Sequence, residues 1–410
     1  MNNNSNQPGE FDAVLGGEAQ TQNYAVVLGG IEGVKKRLDS EDEEIKIVAL
    51  EDALQYGDEG VNLIIKVLDD LSEEIHKRAI LLLRKAGIQG KQALLDYNPW
   101  LVLTTFEDWR VNHHVSIDDP IGRAYRVYGE YELLRLLSDS RAKYIEAIKC
   151  EINYKPKSCQ TAFNKITNRL VNASGLLTNL KALLIGDINN ITHNRYRNSS
   201  MIVWSIHPIL KAYPNLELLH IRGCMVKEDI LKPELKIVQV RNSQNSSNIP
   251  IKSLKHESLK TLIVDADGIS DDNLAKVCNL DLPSLEYFEL WLHRSDLSHI
   301  NIDSLTPILS GKSFPNLAYL AIRKCGNMSE VAKAIVNSTI MENLRVLELT
   351  DGNLSNGDVL LNSPAVNHLH TLNVSGNRLH KNTIEQLSDD LQCRVIADSQ
   401  FSDRYYSVWE

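Results

Sequence analysis

The residues of this sequence that could bind a metal ion are few, and the most suggestive are two adjacent histidines followed by acids. His113 and His114 precede Asp118 and Asp119, and histidine and aspartate are both ligands of zinc. The surrounding residues alternate as in a short strand, where neighbouring side chains point to opposite faces. The two histidines could not then bind one ion. We therefore predict two partly exposed histidines on a hairpin and no metal site.

A glycine-rich stretch and the cysteines are the remaining candidates for chemistry. Residues 29–35, GGIEGVK, are loosely similar to a phosphate-binding loop but lack the spacing G-x-x-x-x-G-K-[ST]. The cysteines form no C-x-x-C pair, and the catalytic motifs G-x-S-x-G and H-E-x-x-H do not occur. We predict that the protein is not an enzyme and that it has no catalytic, cofactor-binding or metal-binding residues.

The composition excludes several further classes of function. The 410 residues include 44 Lys+Arg and 53 Asp+Glu, a formal net charge of −9, whereas proteins that bind nucleic acid usually carry a basic face. Charges interrupt every apolar run before the roughly 18 residues that cross a bilayer. The N-terminus lacks the basic and apolar regions of a signal peptide. These features predict a soluble cytoplasmic protein that binds neither nucleic acid nor membranes.

Two internal repeats define the elements that position these residues, and the first repeat has a period of thirty. Its marks are Glu44-Ile45, Ala49-Leu50, Gly57 and Gly60, which recur as Glu74-Ile75, Ala79-Ile80, Gly87 and Gly90. Apolar residues between the marks fall three or four apart, which indicates amphipathic helices. Gly57 and Gly87 are placed to end the first helix of each pair, and Asp39 or Ser40 would cap an early helix. The pattern predicts a short HEAT-like array of antiparallel helices.

The second repeat has the pattern L-x-x-L-x-L and dominates the C-terminal two-thirds of the chain. Its eight copies are Leu180/Leu183/Ile185, Leu216/Leu219/Ile221, Leu235/Val238/Val240, Leu259/Leu262/Val264, Leu285/Phe288/Leu290, Leu317/Leu320/Ile322, Leu344/Leu347/Leu349 and Leu369/Leu372/Val374, after a degenerate copy at Ile145/Ile148/Cys150. Most intervals lie near the range of leucine-rich repeats, about 20–29 residues. Cys224, Cys325 and Asn377 hold a polar position after the strand, so we expect them to support the turning backbone.

The predicted fold is an α/β solenoid. It is a leucine-rich-repeat horseshoe with parallel β-strands inside and helices outside, preceded by a small all-α HEAT-like domain. The expected divisions are a flexible N-terminal segment (1–24), the HEAT-like helical module (25–98), an N-terminal cap of the solenoid (99–140), the leucine-rich-repeat solenoid (141–397) and a C-terminal cap or tail (398–410).

Both halves resemble known families. The stretch EFDAVLGG…YAVVLGGIEGVKKRL…ALQYGDEGVNLIIKVL…LLLRKAG…QALLDYNP, over about residues 11–100, resembles a helical N-terminal module of many cyanobacterial proteins. The helices of that module are similar to the HEAT repeats of phycobilin lyase subunits. Residues 104–410 resemble an uncharacterised bacterial leucine-rich-repeat family of ribonuclease-inhibitor-like geometry, in the segments LKALLIGDI, AYPNLELLHIRGC, SLEYFELWLH, LSGKSFPNLAYLAIRKC and DRYYSVWE. This second resemblance implies a binding scaffold without catalytic residues.

The concave face is the surface that we expect to bind a partner. Side chains that flank the last two apolar positions of each repeat alternate onto this face. Arg222 and Arg241 are expected on neighbouring strands with no acid beside Arg222, which suggests a place for an anion or a carboxylate. Tyr, Trp and Arg concentrate binding energy at interfaces. The residues predicted to bind a partner are Arg222, Arg241, Tyr287, Glu289, Trp291, Tyr319 and Arg323.

A structural role for the same residues is the competing interpretation. Trp291 would then pack beneath the insertion at about residues 293–304, and Arg222 would pair with Glu289 or with an acid of a loop.

The predicted function is a non-enzymatic scaffold or adaptor for protein–protein interaction, with an unknown protein partner on the concave face. The helical module would dock a second protein or anchor the first. Two alternatives remain open. One is an accessory subunit of an enzyme such as a bilin lyase-like complex, and the other is an immunity or inhibitor protein for a co-encoded toxin, whose basic surface would suit an acidic binder.

Overall fold

The structure, a computed structural model, describes residues 30–70, 72–113, 116–117, 120, 122–151, 159–186, 203, 205–224, 230, 254–293 and 299–400. The chain divides into two compact units between Val102 and Leu103. Some residues discussed above lie outside the described ones, namely His114, Asp118, Asp119, the repeat copy at 235–240, Arg241 and the tail segment 403–410.

The described part of the first unit is all helical. Its helices are α1 (Gly30–Leu38), α2 (Glu43–Ala53), α3 (Gly57–Lys66), α4 (Glu73–Lys85) and α5 (Gly87–Tyr97), with 3-10 turns at Leu54–Tyr56, Val67–Asp69 and Pro99–Val102. The period of thirty corresponds to two successive pairs, α2 with α3 and α4 with α5. Their apolar stripes meet in one core that includes Leu50, Ile64, Leu83 and Leu94, all without measurable exposure.

The recurring glycines of this unit have two separate purposes. Gly57 and Gly87, with φ of 56° and 69°, have the positive φ that glycine tolerates best, and each begins the second helix of its pair. At Gly60 a Cβ would lie 1.7 Å from the Ala53 carbonyl oxygen, and at Gly90 it would lie 2.2 Å from that of Leu83. Glycine at these second positions therefore allows the backbones of the paired helices to come into contact.

The N-cap of α2 differs from the prediction. Asp42 caps the helix, and its carboxylate accepts hydrogen bonds from the backbone N–H of Glu44 (2.9 Å) and Ile45 (3.4 Å). The prediction of Asp39 or Ser40 was wrong because α1 continues to Leu38 and the chain needs the next residues to turn.

Within the described residues, the second unit contains one sheet of 11 strands in sequential order. The strands are β1 (Arg110–Asn112), β2 (Arg123–Tyr128), β3 (Ala147–Glu151), β4 (Ala182–Gly186), β5 (Leu218–Cys224), β6 (Thr261–Asp267), β7 (Tyr287–His293), β8 (Tyr319–Arg323), β9 (Val346–Thr350), β10 (Thr371–Asn373) and β11 (Arg394–Ile396). Every neighbouring pair is parallel.

Helices connect these strands and cover one face of the sheet. They are α6 (Gly129–Leu137), α7 (Cys159–Asn172), α8 (His207–Ala212), α9 (Asp271–Cys278), α10 (Thr306–Leu309), α11 (Met328–Val336), α12 (Asp358–Leu361) and α13 (Lys381–Asp390), with 3-10 turns at Phe106–Asp108, Ser140–Tyr144, Ile302–Leu305, Thr339–Glu342 and Pro364–His368. Leu219, Phe288 and Leu320 of the strands share one buried core with Val277 and Ile335 of the helices. The predicted fold class, an α/β leucine-rich-repeat solenoid after an all-α part, is confirmed.

Three predictions about the strands need correction. Residues 218–224 of β5 pair directly with residues 261–267 of β6, so the predicted neighbour of β5 was wrong. The predicted hairpin before the repeats is wrong because β1 pairs with β2 in parallel. The repeat pattern also misses β11, which pairs with β10 although its residues do not match the leucine spacing.

Buried asparagines bond the backbone where the chain leaves the strands. Asn377 has no exposed surface, and its amide nitrogen donates to the carbonyl oxygens of Leu349 (2.6 Å) and Val374 (2.9 Å). The expected structural role of Asn377 is therefore confirmed. Two repeats earlier, after β8, this role belongs to Asn327, whose side chain bonds the N–H and the carbonyl oxygen of Ile300. The buried Cys325 thiol donates to the side-chain amide oxygen of Asn327.

Candidate functional site

Three rows of side chains project from the face of the sheet opposite the core, here called the row face. The first row is Val111, Ala124, Ala147, Ala182, Leu218, Thr261, Tyr287, Tyr319, Val346, Thr371 and Arg394. The second row is Arg126, Lys149, Leu184, His220, Ile263, Glu289, Ala321, Glu348, Asn373 and Ile396. The third row is Tyr128, Glu151, Gly186, Arg222, Asp265, Trp291, Arg323 and Thr350. In each described copy of the repeat, the side chains that flank the last two apolar positions lie on this face, as expected.

A segment before the first strand covers part of the first row. Residues 103–109, here called the cover segment, carry Phe106 and Trp109, which pack against alanines of β2, β3 and β4. The small alanines leave room for the indole of Trp109. Farther along the sheet, the Thr261 hydroxyl donates to the Thr104 carbonyl oxygen at 2.6 Å. The sequence did not predict this cover, because aromatic residues before a strand do not indicate which face they contact.

Two stacked tyrosines continue the first row beyond the cover segment. The rings of Tyr287 and Tyr319 lie 4.1 Å apart between centroids and are inclined by 8°. Only 8% of Tyr287 and 1% of Tyr319 is exposed. Burial raises the pKa of both hydroxyls above the ordinary value. Tyr287 donates a hydrogen bond to the Glu289 carboxylate. Because both tyrosines are buried, they stabilise the packing of β7 and β8.

Glu289 is the centre of a polar network in the second and third rows. Besides the Tyr287 hydroxyl, its carboxylate accepts the indole N–H of Trp291 at 2.5 Å and the Arg323 Nε–H at 2.8 Å. Arg323 also donates to the Glu348 carboxylate and, at 3.0 Å, to the Thr350 hydroxyl. The network connects three consecutive strands and fixes the rotamers of both Trp291 and Arg323.

Two cations lie close to the indole of Trp291 on this face. The guanidinium carbon of Arg323 lies 5.1 Å from an indole ring centroid, and the Lys324 ammonium lies 5.7 Å from it. Burial opposes the charge on Arg323, but Glu289 and Glu348 outweigh it and raise the pKa of the guanidinium. Burial lowers the pKa of the Lys324 ammonium. Trp291 and Arg323 nevertheless keep part of their surface exposed.

Arg222 has a different neighbour from the one expected. It stands opposite Asp265 on the next strand, and its Nε lies 3.2 Å from an Asp265 carboxylate oxygen. The expectation that the neighbouring strand carries Arg241 and no acid was wrong, because β5 pairs directly with β6. Arg241 itself lies outside the described residues. About a sixth of each of these paired side chains stays exposed, 17% for Arg222 and 16% for Asp265.

The structure thus brings together five of the residues predicted to bind a partner, Tyr287, Glu289, Trp291, Tyr319 and Arg323. It places Arg222 two strands away from Trp291, in the same row. Sequence reasoning missed Glu348 and Thr350 as partners of Arg323. Their positions in the neighbouring repeat would have indicated this contact, since residues in one row lie about 4.8 Å apart.

The other candidates for chemistry stay isolated. His113 is exposed after β1, and no group of three metal-binding side chains occurs within the described ranges. Four described cysteines, Cys150, Cys278, Cys325 and Cys393, are buried free thiols. Among the helices the structure describes, none has the length and apolar composition needed to span a bilayer.

Comparisons with known proteins concern the fold. No family model matches the chain, and no curated protein matches its sequence. Among solved structures, a protein from Bacteroides fragilis shares 19% identity with a TM-score of 0.50, over 66% of this chain and 69% of that chain. An internalin from Listeria monocytogenes shares 15% identity with a TM-score of 0.31, over 67% of this chain and 72% of that chain. The first similarity shows a common fold, and the second is too distant to add to it.

Proposed function

We propose that the protein is a non-enzymatic scaffold that binds a protein partner on the row face. The observation that carries this proposal is the partly exposed Trp291, which Glu289 and Arg323 hold in one orientation. Tryptophan and arginine in fixed, partly desolvated positions are the groups that dominate the binding energy of protein interfaces. A side chain that is already ordered loses little conformational entropy when the partner binds.

The partner contact would follow the third row across four consecutive strands. Arg222, Asp265, Trp291 and Arg323 lie in this order on β5 to β8. Arg222 and Arg323 are each paired with acids. This mixture of both charges around an aromatic ring suits a protein surface better than a polyanionic nucleic acid. Tyr287, Glu289 and Tyr319 would hold this row in place from the neighbouring rows.

We also propose that the helical unit docks a second protein in the cytoplasm.

The proposal is tested with the full-length protein as bait in lysate of its own host. A candidate partner is then purified, and its affinity for the bait is measured by calorimetry. We expect Trp291→Ala and Arg222→Ala each to weaken binding at least tenfold, about 1.4 kcal/mol. Lys381→Ala, which removes an exposed ion pair with Glu385 on α13, is the control and should bind normally. Each variant is used only if its circular dichroism matches that of the wild type.

Two results would overturn the proposal. One is a partner whose affinity is the same for the Trp291 and Arg222 variants as for the wild type. The other is an eluate that carries a tetrapyrrole chromophore, which would favour an accessory subunit of a lyase-like complex.

A further inference from the structure

A second part of the row face brings together three groups that can bind an anion, Lys149, His220 and Arg222. Lys149 on β3 and His220 on β5 both belong to the second row, and Leu184 on β4 lies between them. With strands about 4.8 Å apart, the two backbones are separated by about 10 Å, a gap that one small anionic group can bridge with long side chains. Arg222 follows His220 by two residues and points to the same face.

Lys149 is a cation that has no ion pair in the described part of the chain. It forms no ion pair and no hydrogen bond with any residue that the structure describes, and its ammonium lies 4.7 Å from the Phe106 ring centroid. Burial lowers the pKa of the Lys149 ammonium, although Glu151 and Glu107 oppose this effect. The charges of the two nearest arginines on this face are balanced, because Arg126 pairs with Glu151 at 2.5 Å and Arg222 pairs with Asp265.

His220 carries a buried nitrogen that lacks a hydrogen-bond partner. Its Nε2 contacts no donor or acceptor within the described part of the chain. A buried polar atom of this kind is destabilising until a hydrogen-bond partner satisfies it. Burial lowers the pKa of the His220 imidazole, and Arg222 and Lys149 lower it further, while Asp265 and Glu289 oppose them. His220 is therefore neutral near pH 7, and a nearby anion would favour its protonation.

Arg222 is held close to this position by a glycine. Gly186 stands beside Arg222 in the third row, and a Cβ on Gly186 would lie 2.7 Å from the Arg222 Cβ. Any larger residue would push Arg222 away from β4. Gly186 and the buried Leu184 thus form an uncharged floor between Lys149 and the β5 side chains.

We propose that Lys149, His220 and Arg222 form a binding site for one carboxylate group of an acidic segment of the protein partner, an inference that rests on the proposed function. The ammonium of Lys149, which has no ion pair among the described residues, matches a monoanion. A dianion such as phosphate would meet Glu151 and Asp265 at the edges of the site. The carboxylate would accept hydrogen bonds from Lys149 and from protonated His220, so binding would take up a proton.

The experiment measures the pKa of His220 by NMR in the full-length protein with labelled histidine rings, assigned with His220→Gln. The probe is a blocked tetraglutamate peptide, and tetraglutamine at equal ionic strength is the control. We expect tetraglutamate to raise the pKa of His220 saturably by about one unit, a tenfold gain in proton affinity. Lys149→Met should abolish this rise, whereas Lys381→Met should retain it.

Three outcomes would overturn the inference. One is an unchanged titration with peptide up to about 10 mM, which would reveal even a millimolar affinity. The second is an equal rise in Lys149→Met, and the third is a larger rise with inorganic phosphate than with peptide. If a partner binds through Trp291 but the peptide does not act on His220, only this inference fails. If the peptide acts but no partner depends on Trp291, the proposed function fails and the carboxylate site remains.

Discussion

The network around Glu289 allows a stability prediction that can be worked from individual contacts. Glu289 is 7% exposed and accepts hydrogen bonds from Tyr287, Trp291 and Arg323. Hydrogen bonds to a charged group contribute about 1.5–3 kcal/mol each. Glu289→Gln keeps the size but removes the charge and turns an amide N–H towards donors. Because the carboxylate no longer needs to be desolvated and Arg323 retains Glu348, we expect a net loss of about 3 kcal/mol.

Replacing Arg323, the cation of this network, should lower the free energy of unfolding by at least as much. Arg323→Met leaves Glu289 and Glu348, which are 7% and 4% exposed, facing each other without a cation. Breaking a buried ion pair on one side costs about 3–5 kcal/mol. The double variant removes one of these uncompensated charges, so its loss should be smaller than the sum of the single losses by about 1–3 kcal/mol.

Urea unfolding followed by circular dichroism measures these free energies. The transition of the leucine-rich-repeat unit is the one that Leu320→Ala shifts, because Leu320 is a core residue of that unit. Glu385→Gln at the exposed ion pair with Lys381 is the control and should change stability by less than about 0.5 kcal/mol. A loss below about 1 kcal/mol for Glu289→Gln, or strictly additive losses in the double variant, would refute the described network.

Three further predictions concern residues away from this network. Gly60→Ala should destabilise the helical unit by about 2–3 kcal/mol, because the new Cβ would overlap the Ala53 carbonyl, 1.7 Å away. The control is Gly175→Ala, whose new Cβ meets open space. Equal thermal unfolding of the two variants would contradict the close helix contact. Asn377→Ala should cost about 3 kcal/mol in urea unfolding, because it leaves the buried carbonyls of Leu349 and Val374 without their donor; a loss under about 1 kcal/mol would show that water replaces the amide. Burial raises the pKa of the Cys150 and Cys278 thiols, so both should resist iodoacetamide in the native protein and react only in denaturant. Peptide-level mass spectrometry measures the labelling of each thiol. Labelling of the native protein at the rate of an exposed thiol would disprove the prediction.

The repeat pattern predicted the rows well because strand geometry leaves little freedom. Once Leu219, Phe288 and Leu320 are assigned to the core, alternation alone sends Arg222, Trp291 and Arg323 to the opposite face. The pattern could not identify hydrogen-bond partners between strands. The apolar triplet at 235–240 matches the repeat spacing, but the strand that pairs with β5 is β6, and for this reason the neighbour of Arg222 was misassigned.

The sequence could not predict which side chains of the row face are buried, for a different reason. The exposure of Tyr287 and Tyr319 depends on residues distant in sequence, and periodicity describes only the element on which a residue lies. The cover segment is an example, since Thr104 contacts Thr261 across 157 positions of the chain. Individual glycines were more informative, because Gly57 and Gly87 lie at the junctions that their spacing indicated and have positive φ there.

The graded first row has a consequence for any attempt to rebuild this protein from its repeats. The row runs from alanine on β2, β3 and β4 to leucine, threonine and then tyrosine on β5 to β8. The alanines leave room for Trp109, so these modules are not interchangeable as they are in arrays built from a consensus. Deleting the β4 repeat would put Leu218 beside Ala147, in the place that Ala182 holds in the cluster around Trp109. The cover segment therefore fixes the order of the first repeats.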